Sequence, residues 1–233
     1  MSKKATSYIP NIITLCNLLS GCVALFFAFH IGDVYGSLTG LHLCWIAMAS
    51  AAVFDFCDGA SARALKAYSP LGAELDSLSD LVSFGVAPAM MMLNIMDANG
   101  AGLAKMLSML IIALAGAMRL AKFNTDSEQT TTFKGLPIPA NAIFWIGFAA
   151  WIERYVYPGD VPVIALAVMM SWLMVSNVKM FSLKFHNFDI RENFRRYVLI
   201  LATIAFLINW GVAGLVWAIA LYIFISLLGR KEA

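Results

Sequence analysis

The sequence predicts an all-α polytopic membrane protein of about eight transmembrane helices with both termini cytoplasmic. Three observations predict it. Of the 233 residues, 61% are hydrophobic and 13% charged, whereas a soluble domain is nearer about 45–50% and about 25%. Eight stretches stay mainly apolar for roughly the 20 residues that a bilayer crossing needs. They run approximately over 11–30, 38–57, 73–96, 102–121, 139–157, 160–179, 194–210 and 212–229. The third observation is the distribution of positive charge. With the N-terminus inside, two of the 16 Lys and Arg residues, Lys105 and Arg154, fall outside and the other fourteen inside. An odd number of spans would scramble that bias.

The net charge of +2 gives no global basic field, so nucleic acid is not an expected partner. Span 1 follows Lys3 and Lys4 and is expected to be retained, because no small-residue cleavage site follows it and seven more spans do. Near its cytoplasmic end, after Pro10, it carries Asn11, Thr14 and Asn17. At 100° per residue these fall within about a 120° arc. A polar stripe at membrane depth faces the bundle interior or an aqueous cavity, so packing and ligand contact are both open readings.

Spans 2 and 3 hold the densest chemistry. Asp55 and Asp58 stand at the inner end of span 2, and Asp76 and Asp80 lie in the first turns of span 3. Spacings of three and four put each pair on one helix face. Between them come the small residues Gly59 to Ala62, then Arg63, then Pro70, which interrupts the helical run. Four carboxylates converging at one membrane face repel one another unless cations intervene. Oxygen-only ligation suggests hard divalent ions, Mg²⁺ or Mn²⁺. The four cysteines are scattered without metal spacing and read as small buried hydrophobes. The three histidines are likewise unclustered.

The connection after span 4 is long for a chain of short loops, which tends to mark function. It carries Arg119, Lys122, Asn124 and Lys134, with Gly135, Pro137 and Pro139 to hold its shape. The connection from Phe181 to Arg196 mixes Phe with Lys and Arg, as expected of a segment lying on an anionic leaflet or of a topology anchor. With no repeat, linker or low-complexity tract, residues 1–233 read as a single membrane domain.

Asp55 to Asp80 spells D-x2-D-G-x2-A-R-x8-G-x3-D-x3-D without departure, and in this it resembles the CDP-alcohol phosphotransferase family. That resemblance implies a membrane enzyme that moves a phosphatidyl or similar group from a CDP-linked donor to an alcohol and releases CMP. It implies a core bundle over about 8–180 with two extra spans over about 194–229, and a homodimer. It also implies two divalent cations held by Asp55, Asp58, Asp76 and Asp80, with Asp80 also the general base. Asn11, Thr14, Gly59, Ala62, Arg63 and Gly72 would contact the CDP-lipid. The stretches Arg119–Asn124, Phe133–Ala140 and Ser176–Ser182 are similar to those of the smaller bacterial and archaeal phosphatidylserine synthases, although Lys122 stands where that branch more often has arginine. The substrates implied are CDP-diacylglycerol and L-serine, in the inner membrane of a prokaryote, with Arg119, Asn124 and Lys134 as candidates to hold serine. Acceptors bearing a phosphate, such as glycerol 3-phosphate or inositol phosphate, would call for a denser Arg/Lys cluster than is found. A cation transporter would place its acids at the bilayer midplane on several spans.

Overall fold

A computed structural model describes residues 3–125, 133–181, 189, 191 and 193–228. The chain is mostly helical, an all-α membrane protein, and divides into two compact units, residues 1–120 and 121–233. Among the described residues, five helical stretches are long and apolar enough to cross a bilayer: Tyr8–Ala28, Gly40–Leu65, Pro70–Ala98, Leu103–Thr125 and Phe194–Leu228.

The first unit opens with α1 (Lys3–Ala28), which turns Tyr8, Ile12, Leu15, Leu19, Val23 and Phe26 outward. These recur every three or four residues, the period of one helix face. A short hairpin follows, β1 (Val34–Tyr35) paired with β2 (Leu38–Thr39). Thr39 then caps α2 (Gly40–Leu65): its hydroxyl accepts from the His42 amide at 3.3 Å, and its own amide donates to His42 Nδ1 at 3.1 Å. His42 is thus a capping residue. Gly40 starts the helix because the His30 carbonyl occupies the space a Cβ would need.

α2 continues past the expected end at residue 57, through the alanine-rich Gly59–Leu65, and stops at Lys66 in the left-handed conformation (φ 49°). Alanine is the best helix former, and nothing in Gly59–Leu65 breaks the run. Ser69 caps α3 (Pro70–Asp80), accepting from the Gly72 amide at 3.0 Å, with Pro70 in the first turn where its missing N–H costs nothing. A π-turn, Leu81–Val86, then leads into α4 (Ala87–Ala98), with the Ala87 amide bonded to the Val82 carbonyl five residues back. Of these five stretches, Pro70–Ala98 has the most enclosed apolar window: 61% of it is buried, against 28% in Tyr8–Ala28. α1 packs on α2, α3, the π-turn and α4. The short α5 (Leu103–Leu107) precedes α6 (Leu110–Thr125), within which the unit boundary falls.

The second unit contains β3 (Phe133–Lys134), α7 (Ile138–Arg154), α8 (Asp160–Val175), β4 (Lys179–Met180), α9 (Phe194–Trp210) and α10 (Gly214–Leu228). α8 ends four residues short of the expected 179, because the chain turns there to pair β4 with β3. Gly135 (φ +79°) donates to the Val178 carbonyl at 2.7 Å, and a Cβ on it would lie 2.9 Å from the Ser176 carbonyl oxygen. Lys122 Nζ donates to the Val175 carbonyl at 2.8 Å, placing a cation on the last turn of α8 where the helix dipole favours it. α9 and α10 pack on each other across a break at Gly211 (φ +59°), and Gly214 passes against the Phe206 carbonyl. α10 also packs on α7, where Gly147 allows close approach: a Cβ there would lie 2.7 Å from the Val216 nitrogen.

All four cysteines are free thiols. Cys44 is buried, as expected, but Cys22 and Cys57 are exposed on outer helix faces. Of the Phe181–Arg196 connection, residues 182–188 lie outside the described residues, as do 126–132 of the earlier one.

Candidate active site

The two acid pairs sit on α2 and α3, joined by the tight turn that Lys66 and Ser69 close. Asp55, Asp76 and Asp80 each offer a carboxylate oxygen, and the three oxygens lie within 4.8 Å of one another. At that range, with an effective dielectric of about 20, each pair of anions repels by about 3 kcal/mol. Asp58 is not in this closest group, yet it lies within electrostatic range of the other three. Asp58 and Asp80 are both buried, while Glu74 is exposed. The Asp58 Oδ2 and Asp76 Oδ1 atoms are buried without a hydrogen-bond partner. Buried carboxylate oxygens are rarely left so, and a divalent cation would supply what they lack. The donor set is all hard oxygen, which fits Mg²⁺ or Mn²⁺.

The polar stripe of α1 is used along its length. Asn17 donates from Nδ2 to Asp80 Oδ1 at 3.2 Å, and the Ser79 hydroxyl donates to the Thr14 carbonyl at 3.2 Å. The Thr14 side chain lies beside Asp58 and also reaches the Pro10 carbonyl at 3.0 Å.

A cavity of about 180 Å³ adjoins the acids. Asp58 and Asp76 line it, as do Asn11, Thr14, Gly59, Ala62 and Gly72, five of the six residues expected to contact a CDP-lipid. Its walls are small for a reason: a Cβ on Gly72 would lie 3.0 Å from both Asn11 Oδ1 and Ser69 Oγ. The sixth, Arg63, is exposed, and its guanidinium would lie 3.4 Å from a Cβ on Gly59. Tyr68 and Ser69, not foreseen from sequence, also line the cavity. Their signal was their place in the turn between the acid pairs.

The three candidates for holding the acceptor fall in both units. Arg119 is buried at 5% exposure on α6 in the first unit; Asn124 is exposed at the end of α6 and Lys134 partly buried in β3, both in the second unit.

The family model for CDP-alcohol phosphatidyltransferase matches residues 7–183, which contain this whole arrangement. The chain belongs to the CDP-alcohol phosphatidyltransferase family. Among the relatives of this family member is a CDP-diacylglycerol–serine O-phosphatidyltransferase of Methanocaldococcus jannaschii, 35% identical over 171 residues, which are 73% of this chain and 72% of the relative. An enzyme of the same name from Bacillus subtilis is 33% identical over 181 residues, 77% of this chain and 93% of the relative. An archaetidylserine synthase of Methanothermobacter thermautotrophicus is 32% identical over 181 residues, 76% and 72% of the two chains.

Proposed function

We propose that this protein transfers the phosphatidyl group of CDP-diacylglycerol to the hydroxyl of L-serine, giving phosphatidylserine and CMP. The observation that carries the reading is the convergence of Asp55, Asp76 and Asp80 beside a small-walled cavity that Asp58 shares. The serine part draws support from the relatives, whose names differ in the lipid but share serine as the acceptor.

In the reaction, the serine oxygen forms a bond to the phosphorus that carries diacylglycerol, and the bond from that phosphorus to the bridging oxygen breaks. The bridging oxygen leaves with its electron pair on CMP, and the serine hydroxyl proton passes to Asp80, the general base. Two divalent cations, Mg²⁺ or Mn²⁺, would be held by Asp55, Asp58, Asp76 and Asp80 and would neutralise the charge gathering on the diphosphate. Asn11, Thr14, Gly59, Ala62, Arg63 and Gly72 bind the nucleotide end of the donor, the small or absent side chains of Gly59, Ala62 and Gly72 letting it reach the backbone. Arg119 holds the serine carboxylate, and Asn124 and Lys134 are the further candidates for contacts to serine.

The membrane arrangement follows the same reading. We read α9 and α10, which pack on each other across the break at Gly211, as separate spans, and with α7 and α8 they bring the number to eight. The charge bias then puts both termini, and the acids, at the cytoplasmic face of a prokaryotic inner membrane. The protein is a single membrane domain and a homodimer. The deciding experiment supplies purified protein with CDP-diacylglycerol and labelled serine, glycerol 3-phosphate or inositol phosphate in separate reactions. Label from serine is expected in lipid, and label entering lipid from a phosphate-bearing acceptor instead would overturn serine.

A further inference from the structure

One residue of the α1 stripe has no part in the reaction as written. Asn17 is fully buried, and its amide makes two hydrogen bonds: Nδ2 donates to Asp80 Oδ1 at 3.2 Å, and Oδ1 accepts from Ser83 Oγ at 2.8 Å. The contact to Asp80 fixes which way the amide faces, since a carboxylate oxygen accepts. Turned over, it would point a carbonyl oxygen at the Asp80 carboxylate, while the Ser83 hydroxyl, which also lies 3.1 Å from the Asn17 main-chain carbonyl, keeps the side chain close to the π-turn. Ser83 lies in the π-turn directly after Asp80 and is itself fully buried. It reaches α1 because residue 21 is glycine: a Cβ there would lie 2.9 Å from the Ser83 Cα and would collide with its hydroxyl.

We infer that Asn17, anchored by Ser83 over Gly21, is a positioning residue that sets the orientation of the Asp80 carboxylate. The amide ties one Asp80 oxygen to α1 through a charge-assisted hydrogen bond. The carboxylate therefore cannot swing, and its remaining lone pairs stay directed to the site shared with Asp55 and Asp76. Groups that orient a metal-binding carboxylate in this way typically contribute about 10–100-fold in affinity or activity. The inference rests on the reading of Asp80 as metal ligand and base.

The test compares Asn17→Leu, Ser83→Ala and Ser83→Thr in the full chain. Asn17→Leu is expected to lower kcat by about 10–100-fold with the KM for CDP-diacylglycerol nearly unchanged, the signature of a contact that matters in the transition state. Calorimetric titration of the substrate-free protein with Mn²⁺ is expected to show a weakened affinity in the same variant. Ser83→Ala should move both readouts the same way by less, and Ser83→Thr, which keeps the hydroxyl, should restore them. On an Asp80→Asn background, Asn17→Leu should add no further loss of Mn²⁺ affinity. Wild-type kcat and Mn²⁺ affinity in Asn17→Leu, or a full additional loss on the Asp80→Asn background, overturns the inference. Should Asn17→Leu not fold, Ser83→Ala decides, and an unchanged kcat and Mn²⁺ affinity in it is the overturning result. Failure of the wild type to label lipid from serine would sink the transfer reading instead, and the Mn²⁺ titrations would still decide the role of Asn17.

Discussion

At the scale of single residues, the carboxylates were the legible part. Their spacing predicted two helix faces, and Asp55, Asp76 and Asp80 do meet within 4.8 Å. Asp80→Asn keeps size and the contact to Asn17 but removes the carboxylate proposed as the base, so it is expected to abolish turnover while CDP-lipid binding persists. Binding lost in step with turnover would point to a metal or structural role alone. Arg119→Ala is expected to raise the KM for serine by about tenfold or more, the scale of a lost charged hydrogen bond, and the KM for CDP-diacylglycerol by much less. An unchanged serine KM removes Arg119 from the acceptor site. Asn17 was visible as one member of a polar stripe, but its partner is 63 positions away in sequence. Periodicity reports which face a residue occupies and is silent on what a distant helix brings to that face. The same limit applies to Cys22 and Cys57, which look like Cys44 in sequence yet lie on outer faces.

At the scale of elements, each of the eight apolar stretches contains helix, because long apolar runs leave the backbone no better way to satisfy its polar groups. The ends were harder to read. α2 outlasts its apolar run since alanine and serine carry the helix on, and α8 stops early because the β3–β4 pairing claims the following residues. Gly135 is the hinge of that pairing. Gly135→Ala puts a side chain at φ +79° and against the Met174 and Ser176 carbonyls, so a loss of about 1–3 kcal/mol is expected from backbone strain. The check is the thermal unfolding midpoint in detergent, and an unshifted midpoint would mean that this contact contributes nothing. Thr39→Ala removes one half of a capping box and should lower the same midpoint by a smaller amount, about 1 kcal/mol. The π-turn had no sequence signal, since Leu81–Val86 reads as ordinary apolar helix.

At the scale of the whole molecule, composition alone marked a membrane protein, and the charge bias supplied a topology that the helices alone do not. Reporters that work only in the cytoplasm are expected to be active at both termini, and termini on opposite faces of the membrane would refute eight spans. Removal of divalent cations with EDTA should stop turnover and be reversed by Mg²⁺ or Mn²⁺; activity surviving the chelator would refute the metal site. The π-turn bears on how this molecule tolerates changes in chain length. Removing one residue from a regular helix rotates everything beyond it by about 100°, which would turn the apolar face of α4 away from α1. A π-turn accommodates a surplus residue locally, so Pro70–Ala98 can lose one position between 81 and 86 and heal into a continuous α-helix with both halves still in phase. Such a deletion is expected to leave the fold standing while it withdraws Ser83 from Asn17. In this family member, then, a single superfluous residue separates a helix that merely spans from one that also aims a carboxylate.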